Sequence, residues 1–331
     1  MIIHYLRMAV RSLAKYKQQT IISIVGLAIG FVCFALAILW IRYENSFDKF
    51  HPDYERIFAV LTKDETDVKG MVTHTPYPLA AKLKEMYPEI EEACHTTQGF
   101  QPLKTDSNFF KVFGIVPAHR KVSELLVGDK SIIVSDRFLK TVDPTDSLKL
   151  GDLIKYKVYG EDKDFFIDEI VKAWPTNTNF PFDVIMPMDE QNAGEWNVQY
   201  LLTFIKVREG VNIKSFKEKL ESHKFTEMIN ECSFCLVPVG EWYYTVNTNR
   251  NIKYQYIVLF SIAGLLVIFC ALFNYLPLFI SRLRMRGKEM VLRKVSGASS
   301  WELLKQLLME FLLVLALSVL LGFLIIEWVY P

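Results

Sequence analysis

The residues with most chemistry to offer are bases. Seven Lys and Arg lie between Arg282 and Lys305, in and just ahead of the stretch "RGKEMVLRKVSGASSWELLKQ". Such a cluster can hold phosphates, meet a partner's carboxylates or face an anionic membrane surface. Within it Glu289 stands four residues before Arg293, the favourable order for an ion pair on a helix. Gly297 is a candidate helix stop, and Ser299 precedes Glu302 by the three residues of a capping box. The spacing predicts a short helix over 287–295, a break, and a restart. Cys232 and Cys235 in "CSFC" have redox or half-zinc spacing. No second pair or histidine cluster completes a metal site, and the six histidines are scattered. An oxidising compartment permits a disulfide among Cys94, Cys232 and Cys235, and free thiols are the alternative. H-E-x-x-H, G-x-S-x-G and G-x-x-x-x-G-K-[ST] are all missing, so neither an enzyme nor a cofactor is expected.

The elements around these residues are membrane elements. Of the 331 residues 51% are hydrophobic, more than a soluble domain needs. Residues 20–41, 254–280 and 306–328 each supply the roughly 20 apolar residues that cross a bilayer. The first is too long, and its flank too polar, for a cleaved leader, and reads as a signal anchor. Asn274 and Pro277 lie in the second, where helix packing or a kink suffices to explain them. Glu310 sits about one turn inside the third. Placement at the membrane interface is one reading of it and a coupling role the other.

Residues 1–19 carry four bases and no acid, and residues 281–305 carry seven bases and two acids, in a chain of net charge +1. Both basic flanks fall in the cytoplasm if the first two spans run in opposite directions, which puts residues 42–253 outside. The same balance does not indicate a nucleic-acid binder. Residues 1–19 alternate apolar and basic positions at helical spacing, as a helix lying in the interface would.

The outer block reads as mixed α and β. A strand at "RIFAVLT" and a helix at "PYPLAAKLKEMYPEI" are matched near the far end by "YLLTFIKV", "VNIKSFKEKLESH" and "SFCLVPV". Two β-α-β units then make one subdomain, 55–104 with 199–240. The insert between them, 105–198, is rich in strand-like runs such as "SIIVS", "LIKYKVY" and "FFIDEIVKAW", and is expected as a second, mainly β subdomain.

"SRLRMRGKEMVLRKVSGASSWELLKQLLMEFLLVLALSVLLGFLI" resembles the Arg-rich signature of FtsX-like and MacB-like permeases of ABC transporters. "IISIVGLAIGFVCFALAILWIRYENSFDKFHPDYERIFAV", "DSNFFKVFGI" and "IIVSDRFLKT" are similar to the same family around its periplasmic core domain. The resemblance implies a bacterial inner-membrane permease subunit with a cytoplasmic N-terminus. Its 281–305 loop would dock on a separate cytoplasmic ABC ATPase, with Arg286, Lys288, Glu289, Arg293, Lys294 and Gly297 as contacting or loop-shaping residues and Ser299 and Glu302 as the cap of the same coupling loop. A homodimer or a second permease half is expected, with room for periplasmic or outer-membrane partners. ATP hydrolysis by the partner would drive export or force transmission. A membrane-anchored extracytoplasmic sensor or binding module without an ATPase is the competing class. Two departures stand out. Permeases of this type end in a fourth membrane helix, so with three spans a shortened chain, half of a longer permease or a disrupted gene is expected. "DSLKLGD" replaces the family's usual Pro-Ile-Gly-Lys-like turn in the insert.

Overall fold

The computed structural model describes residues 2–63, 71–97, 102–145, 147–158, 160–189, 193–197, 199–227, 232–246, 254–297 and 299–329. The chain divides into two compact units, one of residues 1–45 and 253–331 and one of residues 46–252.

The first unit is helical: α1 (Ile2–Lys15), α2 (Lys17–Glu44), α8 (Tyr254–Met285), α9 (Gly287–Val295) and α10 (Ser300–Val329). Three of these helices are long and apolar enough to cross a membrane, over Lys17–Glu44, Gln255–Met285 and Ser300–Trp328. α2 packs on both α8 and α10. Lipid supplies no hydrophobic force between helices, so close packing must hold them. A Cβ on Gly30 would lie 2.5 Å from the Ala271 Cβ, and one on Gly322 2.6 Å from the Phe31 ring. Leu13, Leu27, Tyr275 and Val314 bring α1, α2, α8 and α10 to one buried cluster.

The second unit is built on one sheet. Its strands are β1 (Ile57–Lys63), β2 (Met71–Val72), β3 (Thr75–Pro76), β4 (Ile90–Thr97), β5 (Leu103–Thr105), β6 (Ser131–Ser135), β7 (Leu153–Val158), β8 (Glu161–Val171), β9 (Val184–Pro187), β10 (Gln199–Val207) and β11 (Ser233–Pro238). The order along the sheet is β11-β1-β10-β4-β5-β9-β6-β8-β7, with β2 on β1 and β3 on β10. At the β11 end, α3 (Leu79–Met86) links β1 to β4 and α6 (Ile213–Ser222) links β10 to β11. Every neighbour among these four strands is antiparallel, which is the split β-α-β arrangement.

The insert does not stand apart from this unit. β5 pairs with β4 and, in parallel, with β9, so hydrogen bonding runs on into the inserted strands. The reason lies in the two faces of the strands. On β1, Phe58 and Val60 face a core with α3 and α6, while Ile57, Ala59 and Leu61 face a second core. That second core also takes Ile133 of β6 and Ile185 of β9, whose neighbours Ile132, Val134 and Val184 turn to a third. Strands buried on both faces read as continuous apolar runs, as "IFAVL" and "SIIVS" do. A shared core therefore joins the insert to the split β-α-β part. Phe109, Phe110 and Phe113 of α4 (Asn108–Phe113) and Trp174 form its aromatic centre.

Candidate coupling site

Between α8 and α10 the chain builds a short, separate helix. Helix α8 ends at Met285, and Arg286, at φ −95° and ψ 2°, breaks the path before α9 begins. At the other end Gly297 takes φ +94°, a conformation that favours glycine. Its N–H donates to the Lys294 carbonyl at 3.1 Å. The restart is a reciprocal capping box. The Ser299 N–H donates to Glu302 Oε2 at 3.1 Å, and the Glu302 N–H donates to Ser299 Oγ at 3.2 Å. α9 is thus bounded by a break at one end and a turn and a cap at the other.

The surface α9 presents has two components. Lys288 and Lys294 are exposed. So are Val291, Leu292 and Val295, the last at 82%. Apolar side chains exposed this fully are unusual on a short polar helix and point to contact with something else. Glu289 and Arg293 lie in α9, but their side chains fall outside the described residues, and with them the ion pair their spacing suggests.

Arg286 differs from Arg284, Lys288, Lys294 and Lys305, which are exposed. It is only 8% exposed, and its Nη1 donates to Glu310 Oε1 at 2.7 Å and Oε2 at 2.9 Å. The same nitrogen donates to Ser12 Oγ at 2.9 Å, and Ser12 donates on to Glu310 Oε2 at 3.1 Å. Gln306, one turn ahead of Glu310, adds a longer contact at 3.4 Å from Nε2. Three side chains, from α1, the α8–α9 junction and α10, thus meet at the Glu310 carboxylate. Glu310 faces protein, because Arg286 supplies the counter-charge that makes burial tolerable. Sequence spacing cannot show this, since Ser12 lies 298 residues from Glu310 and Arg286 lies 24 away. Only Gln306, four residues before Glu310, had a helical register to betray it. Asn274 is exposed on α8, and Pro277 sits inside the same helix.

The other unit contains a second polar joint. Asp48, buried at φ 55°, accepts from Thr178 Oγ1 at 2.6 Å and from the Asn179 N–H at 3.1 Å. Asn177 donates to Ser46 Oγ at 2.7 Å, so residues 46–48 are pinned to 177–179. Burial pushes the Asp48 carboxyl up to about 6, against the pull of its hydrogen bonds. Close by in sequence, His51 is packed against Trp174 and Phe113 and is driven down to about 3 by desolvation. The cysteines form no disulfide, and burial pushes the Cys94, Cys232 and Cys235 thiols up, away from the thiolate a metal would need. Among the described residues no group of three or more His, Cys, Asp or Glu is placed to hold a metal.

In chain order a mixed α/β domain lies between the first two membrane-length helices, and a short capped helix joins the second to the third. The chain belongs to the family of MacB-like periplasmic core domains, whose model matches residues 20–223. Residues 261–331 match the FtsX-like permease C-terminal region, so this is an ABC-transporter permease of the MacB/FtsX type. No curated protein matches the chain. Solved structures with similar folds include a domain of a permease protein from Porphyromonas gingivalis, at 18% identity and a TM-score of 0.46 over 57% of this chain and 91% of that one. The periplasmic region of MacB from Actinobacillus actinomycetemcomitans is 12% identical, with a TM-score of 0.38 over 56% and 89%. The extracellular domain of the noncanonic ABC-type transporter YknZ from Gram-positive bacteria is 10% identical, with a TM-score of 0.34 over 49% and 88%.

Proposed function

We propose that the chain couples a separate cytoplasmic ABC ATPase to movement of its 46–252 unit, for export or for force transmission. It would do so in the bacterial inner membrane, N-terminus inside, as a homodimer or with a second permease half. The observation that carries this reading is α9. A helix bounded by the Arg286 break and the Gly297 turn, exposing Val291, Leu292 and Val295 beside Lys288 and Lys294, suits an apolar socket with an acidic rim on a partner. Arg286 is then less a contact than an anchor. Its pairing with Glu310 ties the root of α9 to α10 and α1, so a push on α9 is delivered to a spanning helix. The Glu302 cap holds the other end.

The test is co-purification of an ATPase from membranes of cells expressing the full chain. Val291→Asp with Val295→Asp should abolish the partnership, because burying two carboxylates in an apolar socket costs several kcal/mol. Lys288→Ala with Lys294→Ala should weaken it only a few-fold, as rim charges do. An unchanged partnership in the Asp variant would remove α9 from the interface, and no ATPase co-purifying with the wild type would favour the sensor reading.

A further inference from the structure

Beside the Arg286–Glu310 pair lies a cavity of about 220 Å³. Arg11, Ser12, Lys15 and Tyr16 wall it from the end of α1 and the turn after it, and Arg286 and Gln306 wall it from the other side. Among the described residues no acidic side chain lines it. Glu310 sits behind Arg286 and offsets one of the three bases. Arg11 and Lys15 stand four residues apart on α1, both exposed, and among the described residues neither meets a carboxylate. Like charges at that spacing repel, and an anion held between them removes the cost. Arg11 and Lys15, with Arg286 behind them and the Tyr16 hydroxyl beside them, surround one small space with donors that match the oxygens of a phosphate.

Its position says where such a phosphate would come from. The cavity lies at the end of α2 where the apolar helix begins, and beyond the exposed Lys17 and Gln18 the exposed residues along α2 are apolar: Ile21, Ile22 and Val25. Met8 completes the wall. A headgroup in the cavity would have its acyl chains against those residues, at the depth where basic side chains meet anionic lipid. A free phosphate would make no use of that apolar flank.

We propose that this cavity is a phosphate site for the headgroup of an anionic phospholipid, held by Arg11 and Lys15 and backed by Arg286. The inference rests on the helices lying in a membrane and does not depend on an ATPase partner. If bound, the lipid would brace α1 against the root of α9.

The test uses the full chain in nanodiscs of equal phosphatidylglycerol and phosphatidylcholine, with native mass spectrometry counting the lipids that remain bound. The wild type should retain phosphatidylglycerol preferentially. Arg11→Gln with Lys15→Gln should reduce that preference by about a hundred-fold or more, roughly ten-fold for each charge-assisted hydrogen bond lost. Arg7→Gln with Lys17→Gln removes the same charge outside the cavity and should cost at most a few-fold. An equal loss in both double variants, or no preference in the wild type, would overturn the site and leave only diffuse attraction. Unfolding temperatures measured for each variant in phosphatidylcholine alone, then with phosphatidylglycerol added, separate lost binding from lost folding. Millimolar inorganic phosphate forms the last arm. Failure to displace the lipid supports a lipid source, and displacement with equal stabilisation would reassign the cavity to a soluble phosphate.

Discussion

Removing one side of the Arg286–Glu310 pair should be far more damaging than removing both. The two side chains are 8% and 7% exposed, so neither charge has much water to fall back on. Arg286→Met leaves the Glu310 carboxylate with Ser12 at 3.1 Å and Gln306 at 3.4 Å, two neutral partners for a buried anion. Breaking a buried pair in this way costs about 3–5 kcal/mol, and the solvent-open cavity beside it argues for the lower end, about 3 kcal/mol. That is roughly a 150-fold change in the folding equilibrium. Glu310→Leu strands the guanidinium instead and should cost a similar amount. With both replaced, the site becomes an apolar contact among helices, and the double variant should fall within about 1 kcal/mol of the wild type. Reversible unfolding in mixed micelles, followed by helical circular dichroism, reads all three. Single variants costing under about 1 kcal/mol, or a double variant equal to the sum of the singles, would refute a buried, mutually dependent pair.

Two further tests address the rest of the structure. Burial raises Asp48 above its ordinary 3.8, to about 6, so the folded chain holds a proton there that the unfolded chain has lost. The stability this gives is complete below about pH 4 and is lost as pH rises through 6. His51 has the opposite sign: its folded pKa is lowered, and stability is lost as pH falls below 6.5. Asp48→Asn keeps a residue that tolerates positive φ and removes one of the two opposing effects. Between pH 7 and pH 5 it should lose stability relative to the wild type, as followed by urea unfolding with tryptophan fluorescence; a constant difference would sink the Asp48 assignment. In the helical unit, Gly30→Ala should destabilise α2 against α8 by about 1–3 kcal/mol, because the added Cβ collides with Ala271. Gly287→Ala meets no atom within 4 Å and should be neutral or stabilising, and the same micelle unfolding assay compares the two.

Much of this molecule could be read before it folded. Apolar runs of bilayer length, bases at the flanks, and the Gly297 turn with the Ser299–Glu302 box are local signals, each carried within one helix or one turn. The split β-α-β order could be expected because each strand and helix had its own periodicity. The insert was harder. A strand buried on both faces reads the same whether its second face meets a private core or a shared one, and only the packing of Ile133 and Ile185 beside Phe109 and Trp174 makes one unit of residues 46–252.

The candidate site divides along the same line. The sequence by itself determined that a short basic helix stands between two helices of membrane-spanning length, since apolar runs, helix breakers and caps act over a few residues. Tertiary structure alone decided which of its residues face outward and which one is locked in. Arg286 looks like its basic neighbours in the sequence, and Ser12 and Glu310 like unrelated polar interruptions. They meet because α1 and α10 pack together, and a buried carboxylate is stable only where folding brings it a counter-charge.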